Sequence, residues 1–162
     1  MPGLPLVSKW VYANLAPKTI DGIIRNTLAR IKSSKKTYVT LVEAGSTSLA
    51  IGDAKNGNFF RISASYNGWA LAAVAAQVFI AGITGTTTIQ LRNVTDSVDV
   101  LSTGITIDSE EIDSSTAATP AVINPLYATV ATGEQYVWDV DTIQSDTAPK
   151  GLWCEATLRR PP

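Results

Sequence analysis

The sequence predicts a mainly β protein: an antiparallel β-sandwich of jelly-roll type behind an extended N-terminal arm that contains one short helix. Three observations predict it. From Tyr38 onward, apolar residues recur at every second position in short runs, with turn signals roughly every 8–15 residues and no helix between them. Charged residues make up only 17% of the chain, and Thr, Ser, Ala, Val and Ile take their place, a mix that favours strands and turns. Residues 1–36 differ from everything after them in both charge and period, which divides the chain into an arm, 1–36, and a sandwich domain, 37–162.

The arm begins with Pro2, Pro5 and Pro17, which impose extended or irregular backbone. Trp10 and Tyr12 stand one strand period apart among Leu4, Leu6 and Leu15. Such a segment is adhesive but too small to fold alone. The spacing then predicts a helix over about 19–33. Ile20, Ile23, Ile24, Thr27, Leu28 and Ile31 form one apolar stripe, Asp21 suits the positive end of the helix dipole, and Lys32 suits the last turn. Gly22 weakens that helix by about 1 kcal/mol. The run from Lys32 to Lys36 reads as a linker.

In the body, Tyr38–Val42 alternates as a strand and is ended by Ala44, Gly45 and Ser46. The segments 47–51 and 58–63 flank Asp53–Gly57, whose Asn56-Gly57 pair signals a hairpin. Trp69 to Ala81 is apolar on both faces and is expected near the centre of a sheet. Thr88–Arg92 places Ile89 and Leu91 inward, and Val98–Leu101 and Ile105–Ile107 follow. Residues 108–120 form a polar, acidic loop. Gln135–Asp141 puts Tyr136, Trp138 and Val140 on one face. Gly151–Arg159 closes the domain with Leu152, Cys154, Ala156 and Leu158 inward and Trp153, Glu155, Thr157 and Arg159 on the other side.

The net charge of −1 conceals a polarity. Residues 1–36 hold seven basic side chains (Lys9, Lys18, Arg25, Arg30, Lys32, Lys35 and Lys36) against Asp21, a net of +6. Residues 37–162 hold six basic and thirteen acidic side chains, a net of −7. A basic arm could neutralise phosphates, dock on an acidic protein surface, lie on a membrane, or pack on its own body. The isoleucine stripe favours a protein surface, because a nucleic-acid tail needs no such stripe; nucleic acid and membrane are the weaker expectations. The docking residues expected in the arm are Trp10, Tyr12, Ile20, Ile24, Arg25, Leu28, Arg30, Ile31, Lys32, Lys35 and Lys36.

Enzymatic chemistry finds little support. The chain has no histidine, so the commonest general base and metal ligand is missing, and with it the Ser-His-Asp and Cys-His arrangements. Its one cysteine, Cys154, cannot form an intrachain disulfide and falls on an inward strand face as a small hydrophobe. Ser33 and Lys36 have Ser-x-x-Lys spacing, but in the linker. Gly82-x-x-Gly85 lacks the lysine and helix of a phosphate loop. Asp108, Glu110, Glu111 and Asp113 are the best metal or acid/base candidates, yet they lack the glycine and closing glutamate of a calcium loop; a solvated loop is favoured. Asn93-Val94-Thr95 matches a glycosylation acceptor, which matters only on secretion. No cofactor or metal is expected. The longest apolar run, Trp69–Ile83, is broken by Gln77 and Gly82 and falls short of a membrane span. Residues 1–6 lack the pattern of a signal peptide, so a cytoplasmic origin is expected.

Three stretches carry a resemblance: Gly85 to Thr103 (GTTTIQLRNVTDSVDVLST), Thr106 to Ile123 (TIDSEEIDSSTAATPAVI) and Ala148 to Leu152 (APKGL). Together they resemble a β-sandwich domain of tailed-bacteriophage virion proteins, over roughly residues 47–160. The resemblance implies a structural role in the virion, attached to capsid or tail, a homotrimer, and no catalytic motif. It makes a capsid decoration (cement) protein the leading expectation, with the arm on the major capsid protein or another virion protein. Threefold packing would also account for Trp153 on a nominally outward face. The alternative is a tail or head fibre or baseplate protein whose sandwich binds a receptor or carbohydrate, with Trp69, Trp138 and Trp153 as the aromatic candidates.

Overall fold

The computed structural model describes residues 22–27 and 34–161. The chain divides into two units, Met1–Ser34 and Lys35–Pro162. In the first, residues 22–27 are helical, inside the expected 19–33 helix. The rest of that helix, and Trp10, Tyr12, Ile20, Leu28, Arg30, Ile31 and Lys32 with it, lie outside the described residues. The second unit starts two residues before the expected boundary, because Lys35 and Lys36 already pair as strand.

The second unit is an antiparallel β-sandwich. Its strands are β1 (Lys35–Ser48), β2 (Phe59–Arg61), β3 (Ala70–Gln77), β4 (Thr87–Asn93), β5 (Val98–Asp99), β6 (Leu101–Thr103), β7 (Ile105–Ile107), β8 (Val122–Ile123), β9 (Gln135–Thr142) and β10 (Lys150–Arg159). One sheet has the order β1-β10-β3. The other runs β2-β9-β4-β5, with β7 also paired to β4, and β6 and β8 form a small ribbon. Alternation sets the core. Leu152, Cys154, Ala156 and Leu158 of β10 are fully buried, as are Ile89 and Leu91 of β4 and Trp138 of β9, with Tyr136 and Val140 almost so. A chain of rings ties the sheets together. Tyr38 of β1 stacks on Phe60 of β2 at 4.6 Å, and Phe60 stacks on Tyr136 of β9 at 5.2 Å.

Among the described residues the buried polar side chains of this core are paired, except for the indole N–H of Trp138. The hydroxyl of Thr87 donates to Gln144 Oε1, and the Gln144 amide donates to the carbonyl of Ile107 at 3.1 Å. Asn93 accepts from the backbone N–H of Thr95 at 3.0 Å and donates to Asp96 at 3.0 Å, fixing the β4–β5 turn. Its role in that turn accounts for the Asn93-Val94-Thr95 spacing. Gly151 adopts φ +63, and a Cβ there would stand 2.7 Å from the Cα of Gly45, so β1 and β10 approach this closely only because residue 151 is glycine.

Three expectations are corrected. β1 does not stop at Ala44: it runs through Ser48, absorbing bulges after Leu41 and Glu43. Asn56 and Gly57 do adopt left-handed turn geometry, at φ 57 and 66, but they join strands of different sheets and close no hairpin. The segment Trp69–Ala81 narrows to β3, and β3 lies at a sheet edge rather than the centre. Its outward residues include Ala73 and Ala75, small enough to be tolerated in the open. Irregular chain, not a strand, covers the two ends of its second edge. Ser114 N donates to Ala76 O at 3.0 Å, Val78 N to Ile112 O at 2.8 Å, and Leu71 N to Ala128 O at 2.7 Å.

Candidate interaction surface

The outward face of the β1-β10-β3 sheet is the most unusual surface of the described residues. The ladder places Leu41, Trp153 and Gln77 in one row, Val39, Glu155 and Ala75 in the next, and Thr37, Thr157 and Ala73 in a third. Val39 is 64% exposed and Leu41 59%, neighbours on the same side of an edge strand, while Trp153 is half-buried beside them. The two threonines share a hydrogen bond at 3.0 Å. Contiguous apolar exposure of this kind marks a contact surface more often than solitary exposed residues do.

Past Trp153, toward β3, the face dips into a groove of about 420 Å³ walled by Asp113 and Ser114 and floored by Trp153, Ala75, Gln77 and Glu155. The acidic loop forms that wall, and its carboxylates serve the loop. The Ser115 side chain, and then the Ser115 N–H that Asp113 accepts at 2.7 Å, hold the Asp113 carboxyl below its ordinary value. Asp108 accepts from Ala118 N at 2.8 Å, and Glu111 accepts from the Thr116 hydroxyl at 2.6 Å. The loop is thus built by its own acids. Among the described residues, no three acids or thiols stand together as metal ligands would.

The other sequence-derived site residues fall as follows. Ile24 is 51% exposed and Arg25 is also exposed on the helical turn. Lys35 and Lys36 open β1, with the Lys36 ammonium 5.1 Å from the centre of the Tyr38 ring. Trp153 joins Val39 and Leu41, two residues that nothing in the sequence singles out beyond their place in an alternating strand. Trp138 is fully buried and Trp69 nearly so, with Tyr66 packed edge-on against Trp69 at 4.9 Å. Two of the three tryptophans considered for carbohydrate binding are therefore core residues.

A second surface was missed in the sequence. Asp139 and Asp141, alternate residues of β9, cluster electrostatically with Asp53 and Asp99. Asp139 is almost fully buried and accepts from Ala54 N at 2.5 Å. Burial pushes its carboxyl up, the Ala54 N–H pulls it back, and Asp53 and Asp99 push it up further against the opposing pull of Arg92. Burial and the neighbouring Asp139 raise Asp141 likewise. The Asp-x-Asp spacing on one strand was the available signal; the partners from other strands were not visible. Cys154 is fully buried, and burial raises its thiol well above the ordinary range, so it packs as a hydrophobe.

Compared with protein-family models, curated proteins and solved structures, the chain matches none. No helix among the described residues is long and apolar enough to cross a membrane.

Proposed function

We propose that the chain is a non-catalytic virion protein of a tailed bacteriophage, a capsid decoration protein held to the head by its basic arm. The observation that carries this reading is the division of the molecule. A sandwich with a fully packed core and an apolar outer face follows directly on a separate unit in which Ile23 and Ile24 are 56% and 51% exposed among basic residues. Exposed isoleucines beside a cation, in an arm of net charge +6, suit an acidic protein surface, where the charges steer the encounter and the isoleucines supply the buried area. The sequence resemblance supplies the word virion; the surfaces supply the mode of action.

Deleting residues 1–34 leaves every strand intact and tests the arm. The truncated chain is expected to keep the wild-type far-UV spectrum and to lose co-sedimentation with purified heads. Undiminished binding by the truncated, folded chain would sink the docking role.

The fibre alternative retains one supporting observation, the groove beside Trp153. Neither the Gln77 amide nor the Glu155 carboxylate forms a side-chain hydrogen bond within the described residues, so both remain available to hydroxyls of a sugar. Micromolar glycan binding that is lost in Trp153→Ala, without head binding, is the outcome that favours this alternative over decoration.

A further inference from the structure

The two edges of the β1-β10-β3 sheet are treated differently. The β3 edge is covered by backbone bonds at both ends, from Ile112 to Ser114 at one and Ala128 to Val130 at the other, leaving Ala72 to Ala75 between them. Among the described residues the β1 edge is closed at one point, where the side-chain amides of Asn56 and Asn58 donate to Val42 O at 2.7 and 3.0 Å. From Lys35 to Leu41, β1 has a ladder to β10 and to no other strand among the described residues. An uncovered edge of this length carries a row of free donors and acceptors and is a template for another strand.

We infer that this edge pairs with the same edge of a second copy, β1 against β1 about a two-fold axis at Val39, giving a continuous sheet β3-β10-β1-β1-β10-β3. The placement of charge selects this occupant. Lys35 and Lys36 stand at one end of the open stretch and Glu43 just beyond the other, and the six residues between, Thr37 to Val42, carry none. Antiparallel pairing centred on Val39 brings the lysines of each copy to the glutamate end of the other, with Thr37 opposite Leu41 and Val39 opposite itself. Lysines and bulges commonly guard edges against pairing. Here they lie only at the ends, where they fix register and leave the centre open. The same pairing joins Val39, Leu41 and Trp153 of both copies into one apolar face. A ring built by sheet continuation would have to seat β1 on β3 between the two covered ends, in a gap of four residues, Ala72 to Ala75, shorter than the open stretch of β1. A threefold contact made through any other face would then give six copies, never three.

Sedimentation of the purified full-length chain tests this without reference to any capsid, so it stands or falls separately from the decoration reading. The expected species is a dimer of the 17.2 kDa chain, or an even multiple of it. Val39→Lys sets like charges across the axis and is expected to weaken self-association by about tenfold or more, with the fold unchanged because Val39 faces outward. The closest test is crosslinking. Residues directly opposite on antiparallel strands stand about 4.5–5.5 Å apart at Cα, within disulfide reach. Val39→Cys is expected to oxidise to a covalent dimer. Thr37→Cys and Leu41→Cys are expected to crosslink when mixed and not alone, and the buried Cys154 does not compete. A monomer at all concentrations, a trimer, or an even species in which Val39→Cys fails to crosslink would each overturn the inference.

Discussion

The two sides of β10 are made by alternate residues of one strand and behave as two different proteins. Leu152, Cys154, Ala156 and Leu158 are fully buried between the sheets, whereas Trp153 and Glu155 are half-buried and Arg159 is exposed. The inner side stabilises the fold, and the outer side is available for contact. Changes on the two sides should therefore separate cleanly into those that unfold the chain and those that alter what it binds.

The largest effect belongs to the inner side. Leu152→Ala removes a fully buried side chain from the sandwich centre and is expected to cost about 2–5 kcal/mol in denaturant unfolding. Gly151→Ala comes next, at about 1–3 kcal/mol, since it combines a left-handed backbone with a contact of 2.7 Å to Gly45. By contrast Val39→Lys, one strand away but outward, is expected to stay within about 0.5 kcal/mol of wild type in the unfolding of the isolated subunit. Should Val39→Lys unfold the chain as Leu152→Ala does, the inner–outer distinction fails.

A smaller effect concerns Asp139. Its folded carboxyl is raised, chiefly by burial, so the folded state binds a proton more readily than the unfolded one. By linkage, its contribution lowers stability as pH rises from the ordinary carboxylate range through the raised value, and the penalty is fully present at neutral pH. Asp139→Asn keeps an acceptor for the Ala54 N–H and is expected to raise the thermal midpoint at pH 7, with the gain vanishing at pH 3. The smallest effect is expected from Glu110→Gln with Glu111→Gln: these acids sit in the loop as acceptors or in solvent, and every binding activity should survive the pair of changes.

Much of this fold was legible in the sequence because alternation is a local signal. The inward sets of β4, β9 and β10 were read correctly from period two alone. The errors arose where a residue's surroundings come from elsewhere in the chain. Trp69–Ala81 looked central because it is apolar on both sides, but alanine is small enough to stand at an edge, and the loop that covers one end of that edge lies some forty residues on, as in the Ala76–Ser114 pair. Asn56-Gly57 gave the right turn and the wrong topology, since a turn motif does not say which sheet its flanks join. Of the interaction surface, Trp153 was visible as an aromatic on a nominally outward face. Val39 and Leu41 became significant only once β1 proved to be an edge, and the acidic patch required Asp53, Asp99, Asp139 and Asp141 to converge from separate segments.

Hydrogen–deuterium exchange of the full-length chain, free and bound to purified heads, tests the division of labour most directly. The arm and the start of β1 are predicted to gain protection on binding, while the loop over 108–120 and the groove beside Trp153 remain unchanged. Protection confined to that loop and groove, with residues 1–36 unaffected, would contradict the account.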